Sequence, residues 1–132
     1  MRAPFRIPVR VYYQDTDAGG VVFHGQYLAF MERARTELLN AAGIDIARIA
    51  GERRVLFLVF QIALKYHQPA RLNELLTVSA EIAKMGRASL VFRQRVERGP
   101  ELLVEGDVTV ALVDRDRMKP VRIPAELEQA LK

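Results

Sequence analysis

Between Gly25 and Ala42 the side chains Tyr27, Phe30, Met31, Ala34, Leu38 and Ala41 fall every three or four positions. That spacing predicts an amphipathic helix of about five turns, some 27 Å long at ~1.5 Å per residue. Arg33, Arg35 and Glu37 take its polar positions, and Gly43 is placed to end it in the left-handed conformation. Around this helix the pattern changes to alternation. Phe5, Ile7, Val9, Val11 and Tyr13 oppose Arg6 and Arg10, which predicts a half-buried strand over 5–13 that Pro8 confines to an edge or a non-bonded position. Further strands are predicted over 55–66, 75–85, 88–98 and 102–113, with tight turns at Met85-Gly86-Arg87 and Arg98-Gly99-Pro100-Glu101. Residues 44–54 read as a short helical or irregular connection, and Pro124 opens a short terminal helix over 124–131. Strand, long helix and four strands is an α+β order, with one helix on one face of an antiparallel sheet. Such a sheet has open edges, and pairing edges between two copies closes them, so a homo-oligomer is expected.

Half of the 132 residues are hydrophobic and 27% are charged, which suits one folded domain over 1–132. The chain has no cysteine, which excludes disulfide scaffolds, thiol nucleophiles and cysteine-ligated zinc. The longest apolar run, Val55 to Phe60, is far short of the ~20 residues of a membrane span, and the opening MRAPFRIPVRV lacks the apolar centre of a secretory signal. A soluble, cytoplasmic protein is expected. Residues 1–50, 51–100 and 101–132 carry local charges of +1, +5 and −2, so an anionic ligand would be steered to the middle third. That third alternates arginine with apolar residues and holds no RNA- or DNA-binding motif, so nucleic acid is not the expected partner.

The chemistry concentrates in Tyr12 to Arg35, YYQDTDAGGVVFHGQYLAFMERAR. Asp15, Asp17, the pair Gly19-Gly20 and His24 precede the helix within a dozen residues. A helix amino terminus offers unpaired N–H groups and partial positive charge, and can polarise a carbonyl oxygen. A carboxylate seven residues upstream, on a glycine-rich loop able to fold back, can act as nucleophile or general base. That combination suits acyl transfer. The residues also allow plainer roles: Asp15 and Asp17 as turn formers, His24 as a helix-start residue, Glu32 as a helix-face residue, and His67 beside Gln68-Pro69 as structural. Two clustered carboxylates are too few for a hard cation, so no metal site is expected. No G-x-S-x-G, G-x-x-x-x-G-K or G-x-G-x-x-G motif occurs, which excludes a serine hydrolase elbow, a P-loop and a dinucleotide fold.

Residues 12–35 resemble, nearly position for position, the signature of the hotdog-fold acyl-CoA thioesterases of the 4-hydroxybenzoyl-CoA thioesterase group, in particular the branch associated with the tol–pal envelope system. Pro69-Ala70-Arg71-Leu72, Leu76-Thr77-Val78 and Gly86-Arg87-Ala88-Ser89-Leu90 extend the resemblance over most of the chain. It implies a hotdog fold, one long central helix wrapped by a five-stranded antiparallel sheet. It implies that Asp17 is the catalytic carboxylate and that the backbone N–H at His24 polarises the thioester carbonyl. Phe23, Gly25 and Tyr27 would adjoin the acyl group, while Arg87, with Lys84 and Arg71 as weaker candidates, would meet the coenzyme A phosphates. The site would lie between subunits of a dimer or dimer of dimers. Gln14, Gly25-Gln26 and Asn73-Glu74 depart from the usual residues, and Gly25-Gln26 bear on acyl preference. The expected activity is hydrolysis of an acyl-CoA or acyl-carrier-protein thioester without metal or cofactor. A non-catalytic acyl-binding or protein-interaction module is the alternative.

Overall fold

The computed structural model describes residues 3–132, so Met1 and Arg2 of the expected domain lie outside the described residues. Along the chain come β1 (Phe5–Arg10), α1 (Gln26–Ala41), α2 (Ile46–Glu52), β2 (Val55–Tyr66), β3 (Leu75–Met85), β4 (Ser89–Arg98), β5 (Glu101–Asp114) and α3 (Ala125–Leu131). The five strands form one antiparallel sheet in the order β1-β3-β4-β5-β2, which leaves β1 and β2 at its edges. Register shifts at Val59/Gln61, Ile82/Lys84 and Val96/Glu97 mark bulges, and bulges strengthen the local twist that curves a sheet. Helix α1 packs against β1, β3 and β4. This is the hotdog arrangement that the resemblance implies.

The helical period has its cause in the core. Tyr27, Phe30, Met31 and Ala34 are buried against Val9, Leu76, Val78 and Val96, and burying each large apolar side chain contributes about 1.5–3 kcal/mol. At the far end of α1, Gly43 has φ +82°. Its N–H donates to Asn40 and the Ile44 N–H donates to Leu39, at 2.9 and 2.8 Å. These two bonds satisfy carbonyls that the helix end leaves open, as a Schellman cap does.

Three expectations change in the structure. The first strand ends at Arg10 instead of running to residue 13. Tyr12 and Tyr13 stand in solvent, because the chain enters a 3-10 turn over Tyr13–Asp15. Arg35, expected on the polar face of α1, is buried. Its Nη1 donates to Gln94 Oε1 at 2.9 Å, and Gln94 Nε2 donates to the carbonyls of Met31 and Ser79. Gln94 itself takes an inward place on β4 between Phe92 and Val96. The amide thus ties the helix backbone to the sheet, and Arg35 holds the amide. Burial pushes the Arg35 pKa down, against an upward pull from Glu32.

Gly106 of β5 faces Leu64 of β2. A Cβ at that position would collide with the Ala63 carbonyl oxygen and crowd the Leu64 backbone. A glycine inside a strand normally gains stability when replaced by alanine. Here Gly106→Ala is expected to lower stability by about 1–3 kcal/mol, as overpacking does, and a urea titration reads the sign directly.

Candidate active site

The loop between β1 and α1 is organised by its first aspartate. Asp15 is 2% exposed. Its Oδ2 accepts from the Tyr12 N–H and its Oδ1 from the Gln26 side-chain amide, both at 2.8 Å. The Asp15 carbonyl accepts from the Phe23 N–H at 3.0 Å. The two arms of the loop therefore converge on one residue, and Gln26, the first residue of α1, is fastened to it.

Between these arms the chain makes a small hairpin. Thr16 bridges Val22, and Val21 bridges Arg71. Asp17 sits at the turn: its N–H donates to the Val21 carbonyl, its carbonyl accepts from Gly20, and its Oδ1 accepts from the Gly19 N–H at 2.8 Å. Gly20 closes the turn at φ +80°. Asp17 is exposed, and its second carboxylate oxygen has no partner among the described residues.

Helix α1 opens at Gly25, which caps it with no side-chain hydrogen bond. The Gln26 N–H turns back to the Phe23 carbonyl, but the His24 and Gly25 amides have no backbone acceptor among the described residues. The Tyr66 hydroxyl donates to the His24 carbonyl at 2.8 Å. A trans peptide sets its C=O and N–H on opposite sides, so this bond also fixes the direction of the Gly25 N–H. The Phe23 and His24 rings lie 4.3 Å apart, and a Cβ at Gly25 would come within 2.9 Å of the Phe23 ring.

Beside this opening is a cleft of about 320 Å³ lined by Val22, His24, Tyr27, Tyr66, His67, Gln68 and Pro69. Tyr27 is buried, its hydroxyl accepts from the Ala70 N–H at 2.9 Å, and its ring meets that of Tyr66 edge-on at 5.7 Å. Burial pushes both phenols up in pKa, so both stay neutral hydrogen-bonding groups at neutral pH. The cleft's outer segment is clamped by Glu74, which accepts from the Arg71 N–H and from Arg98. Burial alone would raise the Glu74 carboxyl, but those bonds and the two arginine charges hold it below its usual range.

The sequence-predicted residues divide into two groups. His24, Gly25, Phe23 and Tyr27 gather at the helix opening, with Arg71 one bridge away on Val21. Asp17 lies on the adjoining hairpin but is not among the walls of the cleft. Lys84 and Arg87 are elsewhere. Lys84 lines a groove with Ala41 and Ala42, at the opposite end of α1, about 24 Å from its start at ~1.5 Å per residue. Arg87 is in the β3–β4 turn, where its carbonyl accepts from Ile123 and it borders a hollow with Arg122. Sequence reading missed the Asp15 clamp, Tyr66 and the pairing of His67 with Glu105, which are contacts across 11, 42 and 38 residues. Alternation along β2 marks no single tyrosine as a hydrogen-bond donor.

A family model described as the thioesterase superfamily matches residues 19–105. The chain belongs to that superfamily. Among curated thioesterase relatives, it is 44% identical over 126 residues to the acyl-CoA thioesterase YbgC of Haemophilus influenzae, covering 96% of this chain and 93% of that one. It is 47% identical over 124 residues to the acyl-CoA thioester hydrolase YbgC of Escherichia coli, covering 93% and 92%. The crystal structure of a probable thioesterase from Bartonella henselae superposes with a TM-score of 0.88 at 33% identity, covering 92% of this chain and all of that one. The superfamily match begins two residues after Asp17 and spans the helix opening, Tyr66 and the Pro69-Ala70-Arg71 segment. Among the described residues no helix is long and apolar enough to cross a membrane.

Proposed function

We propose that this chain hydrolyses acyl-CoA thioesters to a free acid and coenzyme A, with acyl-carrier-protein thioesters as a second class of donor. The observation that carries the reading is the helix opening at His24-Gly25, where two amides without acceptors adjoin an aromatic-walled cleft. A thioester carbonyl received there accepts hydrogen bonds from those amides, which strengthen as its oxygen gains negative charge. Loss of one such donor typically costs about 10²–10³ in rate. Tyr66 and the Asp15 clamp supply the preorganisation, one fixing the His24 peptide and the other the first residue of the helix. Asp17 supplies the base or nucleophile. The Gly19 N–H steadies one of its oxygens and leaves the other open. Thioesters have weak resonance, so carbonyl polarisation and one carboxylate suffice without metal or cofactor.

The working unit in this proposal is a homodimer or a pair of dimers. Support comes from β2, a 12-residue edge strand on which Leu58, Val59, Phe60, Ile62 and Tyr66 are exposed. An apolar, unpaired edge of that length is an association surface. Its last residue, Tyr66, is also a wall of the cleft, so a partner laid along β2 would close the site. Lys84 and Arg87, remote from the cleft within one chain, would then be available to the nucleotide end of a substrate held by the neighbouring subunit.

Two measurements test this reading. Asp17→Asn is expected to keep the parental melting temperature while losing at least 10³-fold in kcat over a panel of acyl-CoAs followed by free-thiol release; parental turnover would overturn the assignment. Phe60→Glu is expected to convert the oligomer to monomer by light scattering and to lower kcat with it. An unchanged mass would place the contact elsewhere.

A further inference from the structure

The hydrolysis proposed above leaves one cleft side chain and its carboxylate partner idle. His67 is a cleft wall together with His24, Tyr27 and Tyr66, and its Nε2 lies 2.8 Å from Glu105 Oε2 on β5. The backbone behind it is held, because the His67 and Gln68 amides both donate to the Leu103 carbonyl, at 2.7 and 3.2 Å. The imidazole is thus presented where β2 ends against β5. A carboxylate on Nε2 selects the tautomer protonated there and leaves Nδ1 without a partner among the described residues. The same carboxylate orients the imidazole, as in other His–carboxylate pairs that move protons.

The other groups of the cleft are poorly suited to deliver a proton. The Tyr27 and Tyr66 hydroxyls are pushed up by burial, and the Tyr66 hydrogen is already donated to the His24 carbonyl. The His24 ring lies against Phe23. An imidazole is the side chain that exchanges protons near neutral pH, and His67 is the one with a carboxylate partner.

We propose that His67, oriented by Glu105, is the general acid that protonates the departing sulfur; this rests on the thioesterase reading. Asp17 takes a proton from water as the water oxygen bonds to the carbonyl carbon. The tetrahedral oxyanion forms at the helix opening. On its collapse the C–S bond breaks, its electron pair stays on sulfur, and the proton on Nδ1 of the His67 imidazolium moves to that sulfur. The proton held by Asp17 returns to His67 through solvent, so one water is consumed and one acid and one thiol are released. Glu105 acts through His67 and is a positioning residue.

A leaving-group comparison tests this. An alkyl thiol such as that of coenzyme A, similar to cysteine with a pKa of about 8.5, gains from protonation as it leaves. A nitrothiophenol departs as its stable anion. For two thioesters of one acyl group, the coenzyme A ester and the nitrothiophenyl ester, His67→Gln is expected to lose about 100-fold in kcat on the first, the low end of general-acid effects. On the second it is expected to lose less than about threefold, because that leaving group needs no proton. Glu105→Gln is expected to show the same dependence with a smaller loss. His67 and Glu105 are each 41% exposed at the side chain, so both variants are expected to fold, which their melting temperatures check. Equal losses on both esters, or full activity on the coenzyme A ester, overturn the general-acid role. A parent inactive on both esters overturns the thioesterase reading along with it.

Discussion

The site depends on one buried carboxylate that does no chemistry in this account. Asp15, sequestered between the 3-10 turn and the start of α1, accepts from the Tyr12 backbone and from the Gln26 side chain. A buried carboxylate is tolerated only when hydrogen bonds replace the water it has lost, so the loop and the helix start cannot drift apart without stranding it. Two residues later the Asp17 carboxylate has the opposite surroundings: exposed, in a glycine turn, with a single local bond. The D-T-D pair thus combines a buried anchor and an exposed carboxylate, the one proposed to react, and the anchor fixes the hairpin on which that carboxylate is carried.

From that anchor the remaining parts of the site are set by rigid elements. Tyr27 points from the first turn of α1 to the Ala70 amide, and Tyr66 reaches back from the end of β2 to the His24 carbonyl. The helix is held against the sheet below by its apolar face and by the Arg35–Gln94 link. In the proposed reaction, backbone amides in such a setting would be aimed before substrate arrives, which is how fixed dipoles contribute most to a charged transition state. Position on the sheet matters as well. The cleft lies at the end of the edge strand β2, so the surface that would complete the site and the surface that would pair two chains are continuous.

Local pattern carries much of this architecture. The β2 and β3 ranges, the span of α1 and the left-handed Gly43 follow from periods of two and 3.6 and from turn chemistry, because those signals report on neighbours within a turn or a strand. The departures arise where a long-range partner overrides local character. Arg35 goes inward because Gln94, 59 residues away, receives it. Strand β1 stops short because the Tyr12 N–H finds the Asp15 carboxylate instead of a sheet partner. At the site, the D-x-D pair and the helix start stand out in the sequence, but which aspartate is buried does not. Both are acidic turn residues, and burial is decided by Gln26 eleven residues on. His67 reads as structural because Glu105 becomes its neighbour only when β2 and β5 pair.

Hydrogen exchange on Asp15→Ala tests the dependence of the site on its anchor most directly. Loss of two hydrogen bonds to a buried carboxylate is worth about 1–3 kcal/mol, or about a 5- to 150-fold rise in local opening. Exchange is therefore expected to quicken at least about fivefold at the amides of residues 16–28 while β3, β4 and β5 keep their protection, with turnover falling in parallel. Unchanged protection over 16–28 with parental turnover would contradict the account.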